Sequence, residues 1–422
     1  MNRGDTRRRH SIVIRSSGVT LVFVLAHGLG YVMMLAANYL LDAAAFGVFY
    51  TAWVALTVLM APATAILMVL GRVLADAAVT LGRAAVARLT LQLLRRCLWW
   101  GVPAALCVGL VLVGIGALAG SDSWRILLLI PLTTLVLIVV EVLRTSFQAL
   151  LLFGWSSALL VASQTAQLAL GLPAMAITRR VWPSFLGVLV AAALACGSFV
   201  PWFVREARRD RGTAHQRLPL SLGRETRLVA SYSLFVLITN MDILVGYGLL
   251  SRGALSVYAA SALLPKAIVL ATLPVAQIVL PVIVEQNADG RPTRHAGLTA
   301  LALVLAMGAS ASAVLWLILP VMQTTPLAVR GLDIGATRVL ALGAVGLGAA
   351  RVLVVAEIAL GRHAIGYVQG GAVAIFGILA STAGHLPWPL AVIYTGVCWL
   401  FFFAAAAILG AGFIRPPARR AQ

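Results

Sequence analysis

The chain has 422 residues, 61% of them apolar and only 11% charged, with a net charge of +19 and a mean hydropathy of +1.00. A water-soluble domain carries about 25% charged residues, so this composition excludes a soluble fold of this length; the apolar surface needs lipid around it. The apolar stretches run about 20 residues or more without strict alternation, which excludes barrel strands and predicts an all-α polytopic membrane protein.

Arg7-Arg8-Arg9-His10 precede an apolar segment from Gly18 to Leu41. That segment is too long for a signal-peptide core and has no clear small-residue cleavage site, so it reads as a retained first span. Twelve spans are predicted in all: 18–41, 46–70, 97–119, 126–152, 155–177, 184–204, 229–250, 255–283, 297–320, 336–360, 364–383 and 389–413. An even number puts both termini on one side. With the N-terminus inside, the inner segments hold 23 arginines and the outer segments 6. Arg144, Lys266 and Arg351 fall within spans. The positive-inside rule then makes both termini cytoplasmic. It also accounts for the basic balance, so no nucleic-acid partner is expected.

The longest polar stretch, Arg205 to Arg227, lies between the sixth and seventh spans. It divides the chain into an N-terminal six-helix bundle (1–204), a basic cytoplasmic linker (205–228) facing anionic membrane lipid, and a C-terminal six-helix bundle with a short tail (229–422). The halves resemble each other. Leu40 to Phe49 aligns with Leu249 to Tyr258 at an offset of 209, and Arg144 and Gly154 align with Arg351 and Gly361 at an offset of 207. Two parallel halves around a cleft are a recurrent transporter design.

No phosphate-cradling Gly-x-x-x-x-Gly-Lys-Ser/Thr loop occurs, and no Gly-x-Ser-x-Gly or His-Glu-x-x-His motif. The six histidines are scattered, and Cys97, Cys107, Cys196 and Cys398 lack metal spacing and read as packing residues. The expectation is a transporter and not an enzyme, with no cofactor and no metal. The informative residues are charges inside spans, which are costly and often functional. Arg144 and Arg351 each lie ten residues before a helix-ending glycine, about 15 Å of helix. Each reads either as a cleft-lining cation or as a snorkelling arginine, Arg144 also as the i+3 partner of Glu141. Lys266, the only lysine, follows Pro265 in span eight; Asp242 and Asn240 lie in span seven. The hairpin brings Asp242 and Lys266 to similar depth, as a structural ion pair or as a substrate or ion site. Glu357 points to a different helix face from Arg351. His27, Asn38, Gln164 and Gln167 read as interhelical hydrogen-bonding residues. Pro62, Pro265, Pro274 and Pro281 bend spans two and eight.

Spans seven and eight carry a recognisable pattern. Ser233-Leu234-Phe235 and Thr239-Asn240-Met241-Asp242-Ile243-Leu244 are followed by Ala254 to Ala260, Lys266 and Leu280-Pro281. This resembles the polysaccharide-export (Wzx-type O-antigen flippase) branch of the multidrug/oligosaccharidyl-lipid/polysaccharide (MOP) exporter superfamily; Leu41-Asp42 through Phe49 resembles its first hairpin. The resemblance implies two six-helix bundles in a V shape and alternating access in a bacterial cytoplasmic (inner) membrane. It implies a polyprenyl-pyrophosphate-linked oligosaccharide as substrate, with a polysaccharide polymerase and glycosyltransferases as partners. It further implies a cationic cleft, for which Arg144, Lys266 and Arg351 are the candidate substrate-binding residues. Asn240, Asp242, Glu141 and Glu357 are the candidate ion-binding or structural-pair residues. This chain has less lysine and shorter loops than most of that family. The alternatives are an ion-coupled exporter of small amphipathic compounds, and a non-transport membrane subunit of a polysaccharide assembly complex.

Overall fold

The computed structural model describes residues 28–118, 124–209, 222–272, 293–324, 329–360 and 364–414, with isolated positions in 22–26 and 275–286. The regular structure among them is helical. It comprises α1 (Gly28–Leu40), α2 (Ala43–Thr80), α3 (Arg83–Leu118), α4 (Trp124–Ala149), α5 (Phe153–Thr178), α6 (Trp182–Arg208), α7 (Leu222–Leu249), α8 (Arg252–Ala271), α9 (Arg294–Gln323), α10 (Ile334–Ala359), α11 (Ala364–Thr382) and α12 (Pro387–Ile414). Eleven of these, α2 to α12, are long and apolar enough to cross a bilayer. The chain is therefore a multi-pass membrane protein. His27, Pro274, Pro281, Gly361 and the central part of the predicted linker lie outside the described residues.

Where helices outrun the predicted spans, the cause is visible. Span three was expected from residue 97, but α3 begins at Arg83. Hydropathy falls at Arg83, Arg88, Arg95 and Arg96, yet arginine, alanine and leucine are all strong helix formers, so the helix continues into the polar zone. Trp99 and Trp100, each 73% exposed, follow directly and mark an interfacial aromatic belt. Span eight was expected to run to 283, but α8 ends at Ala271, ahead of Leu273-Pro274 in the sequence.

The chain forms two compact units. The first comprises residues 1–41 and 55–225, the second 42–54 and 226–422. In the first, Leu67, Leu74, Val86, Leu143, Leu159 and Phe203 make one buried core. Phe147 stands at its centre, with ring centroids 4.7 Å from Phe203 and 5.2 Å from Trp202. Thr90 donates to Ser146 across α3 and α4 at 2.9 Å. Gly187 of α6 meets Gly171 of α5 backbone to backbone; a Cβ on Gly187 would lie 2.9 Å from the Gly171 Cα. Without a hydrophobic drive between helices in lipid, such small-residue contacts are what let backbones pack closely.

In the second unit α10 is the hub, the most buried of the spans. Its glycines face two different neighbours: Gly343 and Gly346 lie against Thr395 and Trp399 of α12, and Gly348 against Thr272 at the end of α8. The first three turns of α2 belong to this unit, with Phe46, Phe49 and Tyr50 buried.

The internal repeat is legible in helix positions. The starts of α2 and α8, α3 and α9, α4 and α10, and α5 and α11 differ by 209, 211, 210 and 211 residues. The caps repeat too. Asp42 Oδ1 accepts from the Ala45 N–H, and Ser251 Oγ, 209 residues later, accepts from the Ala254 N–H. Gly47 sits against the backbone of Ser256, its own counterpart at that offset, with 3.3 Å from an added Cβ to the Ser256 nitrogen. α4 and α10 are both 26 residues long. By helix position Arg351 is thus the counterpart of Glu141, one turn before Arg144.

Candidate functional site

Asp242, Lys266, Asn240 and Tyr258 converge in the second unit. Asp242 lies seven residues before the end of α7 and Tyr258 six residues into α8, about 10 Å from the hairpin in both cases. The two are therefore level. Lys266 is a further two turns along α8, but helical side chains lean toward the N-terminus, and the lysine stem covers the remaining distance. Its Nζ donates to Asp242 Oδ1 at 2.8 Å and to Asn240 Oδ1 at 3.5 Å. The Tyr258 hydroxyl donates to Asp242 Oδ2 at 3.3 Å. Asn240 is oriented by its own Nδ2, which donates to the Val236 carbonyl at 2.9 Å. Asp242 and Tyr258 have no exposed surface, and the lysine side chain is 14% exposed. A charge so placed persists only when paired.

Tyr394 of α12 closes one side, its hydroxyl 3.1 Å from the Ile238 carbonyl and 2.9 Å from that of Thr239. A cavity lined by Asp242, Pro265, Lys266, Leu340, Ala344 and Tyr394 adjoins the pair. A water's centre has about 10 Å³ within it, room for a single molecule. In this conformation the cavity admits no pyrophosphate.

The other predicted residues lie elsewhere. Arg144 is held by Glu141 one turn back, Nε to Oε2 at 2.9 Å, with side chains 18% and 20% exposed. Arg351 donates from Nη1 to the Val269 carbonyl at 2.9 Å. Its guanidinium lies 5.4 Å from the centre of the Phe235 ring, a cation–π contact. Val269 is in the last turn of α8, where carbonyls lack intrahelical donors, so Arg351 caps that helix. It comes within one turn of Lys266 along α8. Glu357 accepts from the Ile365 N–H at 2.8 Å, at the N-terminus of α11, where a carboxylate is favoured by the helix dipole. Sequence reasoning missed Tyr394, and it quoted Tyr258 without giving it a role. A tyrosine inside a span needs a partner for its hydroxyl, but nothing local says which.

No family model and no curated protein matches the chain. Solved structures do. A MATE transporter in a straight conformation superposes with a TM-score of 0.69 at 12% identity, over 94% of this chain and 95% of the other. An outward-facing multidrug-resistance MATE transporter of the MOP superfamily gives 0.65 at 11% identity, over 94% and 95%. A MOP-superfamily transporter from Pyrococcus furiosus, described as having a binding pocket of reverse polarity that suggests a different function, gives 0.65 at 13% identity over 95% and 96%. The chain therefore has the fold of the MOP-superfamily transporters, along essentially its whole length.

Proposed function

We propose that this chain is a membrane transporter of the MOP type that moves a polyprenyl-pyrophosphate-linked oligosaccharide from the cytoplasmic to the outer leaflet by alternating access, in surface-polysaccharide biosynthesis. The observation that carries this reading is the state of Asp242. An exporter of organic cations needs a carboxylate available to its substrate, and here the fully buried in-span acid is neutralised by the chain's own lysine. Glu141 is likewise bonded to Arg144, and Glu357 to a helix N-terminus. Arg351 spends one donor on Val269, and a guanidinium carries further donors of the planar geometry that binds phosphate oxygens in pairs. The resemblance of spans seven and eight to the polysaccharide-export branch supports the same class of substrate.

The test is reconstitution in liposomes with a fluorescent polyprenyl-pyrophosphate sugar, scoring the fraction protected from an impermeant quencher. The wild type should equilibrate the lipid between leaflets. Arg351→Ala should slow it at least tenfold, and Arg351→Lys should recover part of the rate. If the wild type leaves the sugar lipid in place but extrudes a cationic dye, the multidrug-type alternative holds instead.

A further inference from the structure

We infer that the oxygen cluster of Asn240, Asp242 and Tyr258 is a monovalent-cation site whose resident cation is the ammonium of Lys266. The inference deepens the proposed function, since it assigns a role to the same ion pair, but it is tested by cation binding and not by transport.

Four observations support it. First, the ligands offered are those a hard monovalent cation takes: carboxylate and amide oxygens aimed at one point, with the Asn240 amide turned oxygen-inward by its own Nδ2–H bond to Val236. Second, Pro265 supplies no N–H, so the Ser261 carbonyl one turn earlier has no helical donor. Pro265 itself lines the cavity beside the lysine. Third, the space is scaled to a compact ion: beyond the ammonium there is room for about one water. Fourth, the chain has 32 basic residues and uses arginine at 31 of these positions. Its single ammonium is paired with the fully buried carboxylate of Asp242, beside a cavity with room for about one water, where a compact point charge takes less space than a planar, forked guanidinium. A structural pair with no such requirement would be served by arginine, as Arg144 serves Glu141.

The consequence is a transporter whose cation site is filled by a cation of its own chain. An external cation does not enter this site while the lysine occupies it, so the site contributes no dependence on an alkali-cation gradient.

The experiment uses the purified full chain, with methylammonium as probe and choline at equal ionic strength as a cation too large to enter. Lys266→Ala vacates the seat and should melt below the wild type. Methylammonium, at about a hundredfold excess over its Kd, should raise the folded-to-unfolded ratio about 100-fold; choline should not. The wild type should respond to neither, and Lys266→Ala combined with Asp242→Asn should lose the response. An equal response to both cations, or a response that survives Asp242→Asn, overturns the inference. Should Lys266→Ala not accumulate, Asp242→Asn alone decides. As the chain's only lysine, Lys266 can be followed by acetylation and peptide mass mapping. It should be protected in the wild type and acetylated at least tenfold faster in Asp242→Asn. Equal rates overturn the inference.

Discussion

The energetic weight of the Asp242–Lys266 pair is measurable by a double-mutant cycle. At 2.8 Å and an effective dielectric constant of about 20, the attraction is about 6 kcal/mol. Stripping water from each ion costs several kcal/mol, so the pair as a whole contributes little net stability. Breaking it is another matter. Lys266→Met leaves Asp242 with the Tyr258 hydroxyl alone, in a place with no solvent contact, and should cost about 3–5 kcal/mol. Asp242→Asn should cost less, about 2–3 kcal/mol, because the lysine is partly exposed and can turn toward water. The double variant Asp242→Asn/Lys266→Met has no charge to strand and should lie within about 1 kcal/mol of the wild type. The reasoning therefore requires a coupling energy of about 4 kcal/mol or more. Reversible unfolding in bicelles, followed for all four proteins, measures it. Additivity of the two single variants to within about 0.5 kcal/mol would refute the account of the pair.

Gly187→Leu should cost about 1–3 kcal/mol or more, because its Cβ would meet the Gly171 backbone, which cannot turn aside; Gly197→Ala, with open space around it, should gain a few tenths to about 1 kcal/mol from helix propensity, and thermal melts compare the two. Glu357→Gln keeps an acceptor for the Ile365 N–H and should be near neutral, whereas Glu357→Ala should cost about 1 kcal/mol, read by the same melts. Thr213→Cys, on a background lacking the four native cysteines, should resist an impermeant maleimide in intact cells and react once the cytoplasmic side is opened. Labelling from outside would reverse the proposed topology.

Hydropathy located eleven of the twelve predicted spans, α2 to α12, since a bilayer sets a minimum apolar length; of the first, the described part is the shorter apolar helix Gly28–Leu40. The Asp242–Lys266 hairpin was legible for a related reason: charges in apolar stretches are rare, and two of opposite sign in consecutive spans have few other partners. Residues whose partners come from distant spans were not. Tyr394 lies more than 150 residues from the carbonyls it approaches, and its sequence neighbours are ordinary for a span. Arg351 illustrates a different limit. Its place inside a span followed from the sequence, but its bond to Val269 depends on where α8 ends, at Ala271, and hydropathy does not mark that end. The offset of 207 that paired Arg144 with Arg351 matched residue types. The helix boundaries, which are set by capping, give 210.

The division of α2 between the two units has a consequence in time. The unit that buries Phe46, Phe49 and Tyr50 also contains α7 from Thr226 on and all of α8, and Gly47 rests on Ser256, a residue made 209 positions later. At about 5–20 residues per second, these first turns of α2 wait on the order of 10–40 s for the helices they pack against. Throughout that interval their aromatic face lacks the helices it packs against in the finished unit. Its apolar character thus serves a half-made chain before it serves the finished one. A polar substitution at Phe46 or Phe49 would act first on the yield of inserted protein, and only afterwards on the stability of what was inserted.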